Sequence, residues 1–207
     1  MVEQLKGEIS AKNDPSVAKQ WDTNTPKGEQ IDDFYAICDK LKVGLLTTLR
    51  KDIGPVSRSM ATSRRTGPDF YYLSNTHSQK FNDLDNSRNV QITFHNSSSQ
   101  DWVSITGTAT KVSNSDKLVH ELYSPAISAW FGDAGDGVHN GTADDPRMAV
   151  IEVKPEYIAY WKSTSTALGF VKEVALSAMT GSVAQTGLQR QFTKSDIELM
   201  RSNAASK

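Results

Sequence analysis

Seven consecutive residues, Ser74, Asn75, Thr76, His77, Ser78, Gln79 and Lys80, can all form hydrogen bonds, and the last carries a positive charge. They lie inside YYLSNTHSQKFNDL (71–84), which starts with a strand pattern and finishes with a helix pattern. A helix N-terminus leaves its first backbone N–H groups unpaired, and its dipole favours an anion. Hydroxyls at Ser74, Thr76 and Ser78, with the Lys80 ammonium, would make a phosphate cradle that needs no glycine-rich loop. The plainer alternative is that Ser78 caps the helix while the other polar groups face water.

The strand pattern just before it, PVSRSMATS (55–63), alternates so that Arg58 shares a face with Met60 and Thr62. An arginine in that position can hold a phosphate bidentately, and Met60 offers a soft apolar contact to a flat ring. Tyr71, Tyr72, Trp102 and Trp130 add aromatic surface. Together these residues point to a ligand phosphorylated at one end and planar at the other. The competing role for Arg58 is an ion pair with a surface carboxylate.

Other chemistries find less support. Cys38 is the only cysteine, so no internal disulfide can form; it falls among Phe34, Ile37 and Leu41 at helical spacing and reads as buried. No Ser/His/Asp or Cys/His set is readable, and no catalytic residue is identified. His77, His95, His120 and His139 lack metal-ligand spacing, and Asp133, Asp136, Asp144 and Asp145 do not follow the EF-hand loop, so no metal is expected. There is no P-loop and no GxGxxG, and Arg64-Arg65 is too short a basic patch for nucleic acid. A net charge of −1 gives no field toward anionic partners. No stretch approaches the roughly 18–20 apolar residues of a membrane span. The first residues lack a signal-peptide pattern, so a cytoplasmic protein is expected.

The elements that must position these groups follow from patterning. Residues 1–27 read as a polar, mobile arm with one helical turn near Val17–Trp21. A helix over Gly28–Leu41 has its apolar stripe at Ile31, Phe34, Ile37, Cys38 and Leu41. Strands are expected at 43–49, 55–63, 69–74, 89–96, 102–112 and 148–161, the last with a turn at Lys154-Pro155. Helices are expected at Gln79–Asn86, Ser115–Tyr123, Gly169–Met179 and Lys194–Arg201, with a Gly/Ser/Thr-rich stretch between the last two. Hairpin-spaced strands with few intervening helices favour an antiparallel barrel over a doubly wound sheet. The organisation is one domain over 28–162, followed by a partly helical extension at 163–207.

The run VSRSM, then YLSNTHSQKFNDL and NVQITF, resembles the FMN-binding split barrel of pyridoxamine-phosphate-oxidase-like proteins. WVSITGTATKV, YSPAISAWFGD and GDGVHNGTADDPRMAVIEVKP are similar to the general stress protein group of that superfamily, and most to its fungal blue-light-inducible members. The resemblance runs from about Lys27 to Tyr160. It implies a mainly β fold, an antiparallel split β-barrel with a few peripheral helices, that forms a homodimer with flavin at the interface. Position by position it implies that Arg58, Ser78 and Lys80 hold the flavin phosphate, with Thr76 lining the pocket. Ser59 and Met60 would meet the isoalloxazine edge, Ser74 and Asn75 match strand-end contacts, and Trp102 stands where the oxidases place a glutamine. Trp130 matches a tryptophan near the cofactor. FMN is the implied cofactor, with FAD as the alternative.

The departures carry equal weight. Gln79 stands where the oxidases carry an arginine, and Ser63 where they carry a basic residue. Two absent cations would weaken phosphate binding by about 1–3 kcal/mol each where buried and uncompensated. Tyr160-Trp161 precedes Lys162 rather than an acidic residue, and no counterpart exists for the arginine and histidine that hold the oxidases' own substrate. Oxidation of pyridoxamine phosphate is therefore not expected. Two readings follow from the resemblance: a flavin-binding protein in stress or redox response, or a flavin-dependent NAD(P)H reductase or oxidase acting on a small acceptor.

Overall fold

The computed structural model describes residues 15–22, 24–113 and 116–206. In chain order the elements are helices α1 (Pro15–Gln20) and α2 (Lys27–Leu41), then strands β1 (Val43–Arg50), β2 (Gly54–Ala61), β3 (Arg64–Thr66) and β4 (Asp69–Asn75). Helix α3 (Gln79–Asn86), strands β5 (Asn89–His95) and β6 (Trp102–Ser113), and helices α4 (Lys117–Leu122) and α5 (Pro125–Ser128) follow. The chain ends with β7 (Met148–Ser163), α6 (Ala167–Thr180), β8 (Gly187–Phe192) and α7 (Lys194–Ala205). Most of the expected arm, residues 1–14, lies outside the described residues, while its anticipated helical turn is α1.

The strands form one eight-stranded sheet in the order β2-β1-β5-β6-β7-β4-β3, with β8 added to β7. The β1–β2 and β3–β4 pairings are antiparallel hairpins, as the spacing implied, and the β4–β7 and β7–β8 pairings are antiparallel too. The path has two ends, so the sheet is not closed.

Three boundaries differ from the sequence reading. The turn expected at Lys154-Pro155 does not form, and β7 runs straight through it. A Cβ at Gly107 would collide with the Lys154 carbonyl oxygen and approach Pro155 Cα to 2.9 Å. A glycine opposite the proline therefore lets backbone and backbone approach closely without breaking the strand. Residues 64–66, read as turn, form β3 against Phe70–Tyr71 and Asp69. The Gly/Ser/Thr-rich stretch of the tail contains β8, whose Gly187 lies under the Trp161 indole where a Cβ would clash. Both strands are short, and their pairing partners supply what their composition lacks.

The chain divides into two compact units. One holds α2, residues 93–105 and residues 157–193. Its core stacks Phe34, Tyr160 and Phe192, with ring centroids 5.7–6.2 Å apart. Beside them Arg190, almost fully buried, donates to Asp22 at 2.6 Å, Asp33 at 2.6 Å and the Tyr160 hydroxyl at 3.2 Å. Burial alone would raise the Asp22 carboxyl, but hydrogen bonds from Thr25 and Arg190 win and bring its pKa down to about 2. Removing the arginine strands the buried Asp22 carboxylate, while Asp33 keeps Lys162, so Arg190→Met is expected to lower stability by about 3 kcal/mol, read as a shifted urea midpoint at constant slope. Because the Asp22 pKa is depressed on folding, its contribution is complete above pH ~4 and fades as pH falls toward 2.

The second unit holds residues 43–92, 106–156 and 194–206. Its core includes Leu46, Phe70, Tyr72, Phe81, Leu84, Val90 and Ile92. A cluster of Val119, Met148 and Val150 packs with Leu73, Ile127 and Phe131. Helix α7 is tied to this unit by Arg201, which donates to Asp69 at 2.7 Å.

Candidate functional site

Strand β4 delivers Ser74 and Asn75 to a three-residue turn, and α3 begins immediately after it. Ser78 occupies the N-cap position with extended backbone, yet its hydroxyl makes no capping bond. It donates instead to the Asn75 carbonyl at 2.6 Å. The simple capping role is thus set aside: the Ser78 side chain caps none of the first-turn N–H groups of α3.

Lys80 reaches back over this turn. Its Nζ donates to Ser74 Oγ at 2.9 Å and Ser78 Oγ at 2.6 Å. No carboxylate pairs with it among the described residues. Its pKa is lowered, first by burial and then by the nearby Arg58 charge. The ammonium is therefore electrostatically under-served, and an anion would relieve it.

Arg58 is held from beneath. Its Nη1 donates to the Leu46 carbonyl at 3.1 Å and Thr48 Oγ1 at 2.8 Å, and its Nη2 to Asp83 Oδ2 at 3.2 Å. Asp83, fully buried on α3, also accepts from Thr48 at 2.7 Å and from Arg50 Nε at 3.0 Å. Burial would raise the Asp83 pKa, but hydrogen bonds from Arg50 and Thr48 and both arginine charges lower it. Burial likewise lowers the Arg58 pKa, only partly offset by Asp83. The carboxylate expected for Arg58 is thus a buried one on the same helix as Lys80, not one on the surface. Two cations, Arg50 and Arg58, share that single carboxylate, and Lys80 lies near enough to Arg58 to feel its charge.

A cavity of about 660 Å³ opens beside Lys80. Its polar wall has Ser59, Ser63, Ser74, Asn75 and Lys80. Its apolar wall has Val43, Met60, Ala61, Leu73, Ile127, Trp130 and Phe131. Of the residues singled out in the sequence, Ser59, Met60, Ser74, Asn75, Lys80 and Trp130 meet here, and Ser78 joins them through its bond to Lys80. Trp130 is 85% exposed. Arg58 does not line the cavity but sits within electrostatic range of Lys80. Thr76 donates its N–H to the Arg147 carbonyl, and Gln79 is exposed with its amide oxygen toward Asn82. Trp102 belongs to the other unit, where it lines a different cavity of about 220 Å³ with Trp161 and Phe170.

The sequence reading missed Asp83, Leu73, Ile127 and Phe131. The only signal for the last two was their helical spacing around Trp130. For Asp83 it was the placement three residues after Lys80. The loop over residues 132–146 is held by its own acids. Asp136 accepts from the Val138 and His139 N–H groups, and buried Asp145 accepts from Gly141 N–H and Arg147. Arg147, in turn, donates to the Phe131 and Gly132 carbonyls and so anchors the aromatic wall.

The chain is 36% identical over 193 residues to Protein bli-3 of Neurospora crassa, covering 92% of each. In fold it is similar to General Stress Protein 26 of Bacillus anthracis, with a TM-score of 0.54, 21% identity, and coverage of 64% of this chain and 93% of that one. It is also similar to a pyridoxamine 5'-phosphate oxidase-related, FMN-binding protein of Nostoc punctiforme, with a TM-score of 0.52, 14% identity, and coverage of 68% and 85%. These neighbours share the antiparallel split-barrel architecture. The pattern of the family described as pyridoxamine 5'-phosphate oxidase like matches residues 29–185, and the chain belongs to that family.

Proposed function

We propose that this chain is a flavin-binding protein of the general stress type that holds FMN at the β4–α3 junction, works as a homodimer, and serves in stress or redox response. One observation carries the reading: a half-buried ammonium, Lys80, faces only hydroxyls beside a cavity with one polar and one apolar wall. That cavity lies within the roughly 300–1,000 Å³ range of small-molecule sites. Lys80, Ser74 and Ser78 would hold the phosphate, with Arg58 steadied behind them by Asp83. Met60, Leu73 and Phe131 would face the ring system, and Trp130 would cover it. The FMN-binding neighbour and the family membership support the same assignment.

Bound flavin would supply electron-transfer chemistry. The protein's own contribution is to bind, orient and exclude water. Among the residues lining the cavity, Lys80 is the only titratable group. That favours binding over turnover, because proton transfer to a substrate needs a placed acid or base.

The absorption spectrum of the freshly purified protein, followed by an FMN fluorescence-quenching titration, tests the reading. Saturable quenching by FMN and much weaker quenching by riboflavin are expected; equal affinity for both would sink the phosphate assignment. The affinity should also depend on pH. The phosphate takes up its second proton near pH 6, so FMN affinity is expected to fall below that point by up to about tenfold per pH unit. At alkaline pH Lys80, whose pKa is lowered, loses its proton earlier than an ordinary lysine, and affinity falls again. Riboflavin binding should stay flat across the same range.

A further inference from the structure

The two ends of the candidate site meet at one residue. Met148, the first residue of β7, pairs with Asn75 at the end of β4, and Arg147 just before it accepts the Thr76 N–H on its carbonyl at 2.7 Å. That bond fixes the turn between β4 and α3 through backbone alone. The guanidinium of the same residue serves the other end. Its Nη1 donates to the Phe131 carbonyl at 3.1 Å and its Nη2 to the Gly132 carbonyl at 2.8 Å, with Cζ 5.8 Å from the Phe131 ring centre. Nη2 and Nε also donate to the buried Asp145 at 2.7 Å and 3.0 Å. Asp145 in turn accepts the Gly141 N–H at 2.7 Å and the Arg147 N–H at 2.8 Å. Gly141 has a φ of 74°, and a Cβ there would come within 3.3 Å of the Ser128 carbonyl oxygen and 3.5 Å of Phe131 Cβ. The loop over 132–146 thus packs against the wall that carries Phe131, and Arg147 fastens it there.

We propose that Arg147 is a positioning residue that sets selectivity at this site: it fixes how far the apolar wall stands from the phosphate turn, so that a ligand with a ring at one end and a phosphate at the other is matched at both. The inference rests on the flavin reading above and deepens it with a residue that lines no part of the cavity itself. An arginine suits the task, because its planar fork reaches two carbonyls and a carboxylate at once, whereas an ammonium offers three donors from a single point. A wall already in place when the ligand arrives need not be ordered by it, and affinity for the ring rises accordingly. The rival reading is that Arg147 and Asp145 only hold the loop together. The two readings differ in which ligands suffer. A positioning role strikes ligands that carry the ring and spares a bare phosphate, because the Thr76 bond uses only the Arg147 carbonyl.

Arg147→Lys on the full-length chain tests this, since it keeps the backbone carbonyl for Thr76 and a cation for Asp145 but loses the fork. Fluorescence titration is expected to show FMN and riboflavin weakened by the same factor, about tenfold. Inorganic phosphate, followed by phosphorus NMR, should bind as it does to the wild type, and the far-UV spectrum should not change. Phe131→Ala should reproduce the loss for both flavins. Adding Arg147→Lys to it should cost less than a further twofold, because the arginine acts through that wall. Unchanged riboflavin affinity in Arg147→Lys, a loss shared by inorganic phosphate, or losses that multiply in the double variant would overturn the proposal. So would an Arg147→Lys chain that fails to fold, since the residue would then be structural. Any of these results beside a wild type that binds FMN sinks the Arg147 assignment alone. A wild type that binds neither flavin sinks the flavin reading, and this assignment with it.

Discussion

Replacing Arg58 and Lys80 together with alanine is expected to lower FMN affinity by roughly 100- to 10,000-fold while the protein stays folded. The magnitude follows from losing the charge-assisted contact of Lys80, at about 1.5–3 kcal/mol, together with the Arg58 charge close behind it, at a similar amount. The fold should persist because neither side chain is the sole partner of a buried charge. Asp83 would keep Arg50 and Thr48 after Arg58 is gone. Lys80 has a lowered pKa, which means folding disfavours its charged form at neutral pH. Lys80→Ala alone should therefore leave stability unchanged or raise it slightly, while weakening FMN binding. A residue that is better for stability when removed is one kept for its ligand. Fluorescence titrations and thermal melts on the same samples would decide the point. Unchanged FMN affinity in the double variant would remove the phosphate from this junction.

A second large effect is expected at Asp83. Asp83→Ala should destabilise the protein by about 3–5 kcal/mol, since it strands Arg50 and Arg58 with no carboxylate between them. The arginine side chains are about one third and one fifth exposed, so water would recover part of the loss and the lower figure is expected. The loss would appear as a lower urea midpoint. Because the Asp83 pKa is depressed in the folded state, its contribution is complete above pH ~4 and declines as pH falls further. The wild-type and Asp83→Ala stability curves should therefore converge in acid. FMN affinity, measured well below the unfolding midpoint, should fall too, because Arg58 loses the anchor that aims it.

The likeness to Protein bli-3 covers 92% of this chain. Strand β8 and helix α7 are each fastened within one of the compact units. One extends the sheet beside β7, and the other locks to Asp69 through Arg201. Residues 163–193 fall in one compact unit and residues 194–206 in the other.

Much of the site was legible because its signals are local. Hydroxyls and a lysine at a strand-to-helix switch are contiguous in sequence, and alternation alone placed Arg58 and Met60 on one face of their strand. The helix expected at about Gln79–Asn86 forms over those residues. What only the tertiary structure decided was partnership. Whether Arg58 met a ligand, water or a carboxylate depended on Asp83, 25 residues away and brought under the strand by α3. No periodicity encodes that distance. Whether Ser78 capped its helix depended on a lysine side chain curling back to take its oxygen. The apolar wall from Ile127 to Phe131 was invisible for the same reason, as its neighbours on β2 and β4 come from 50 or more residues earlier. Side-chain type and local spacing set which groups can bind an anion; long-range packing sets which of them are left with nothing else to bind.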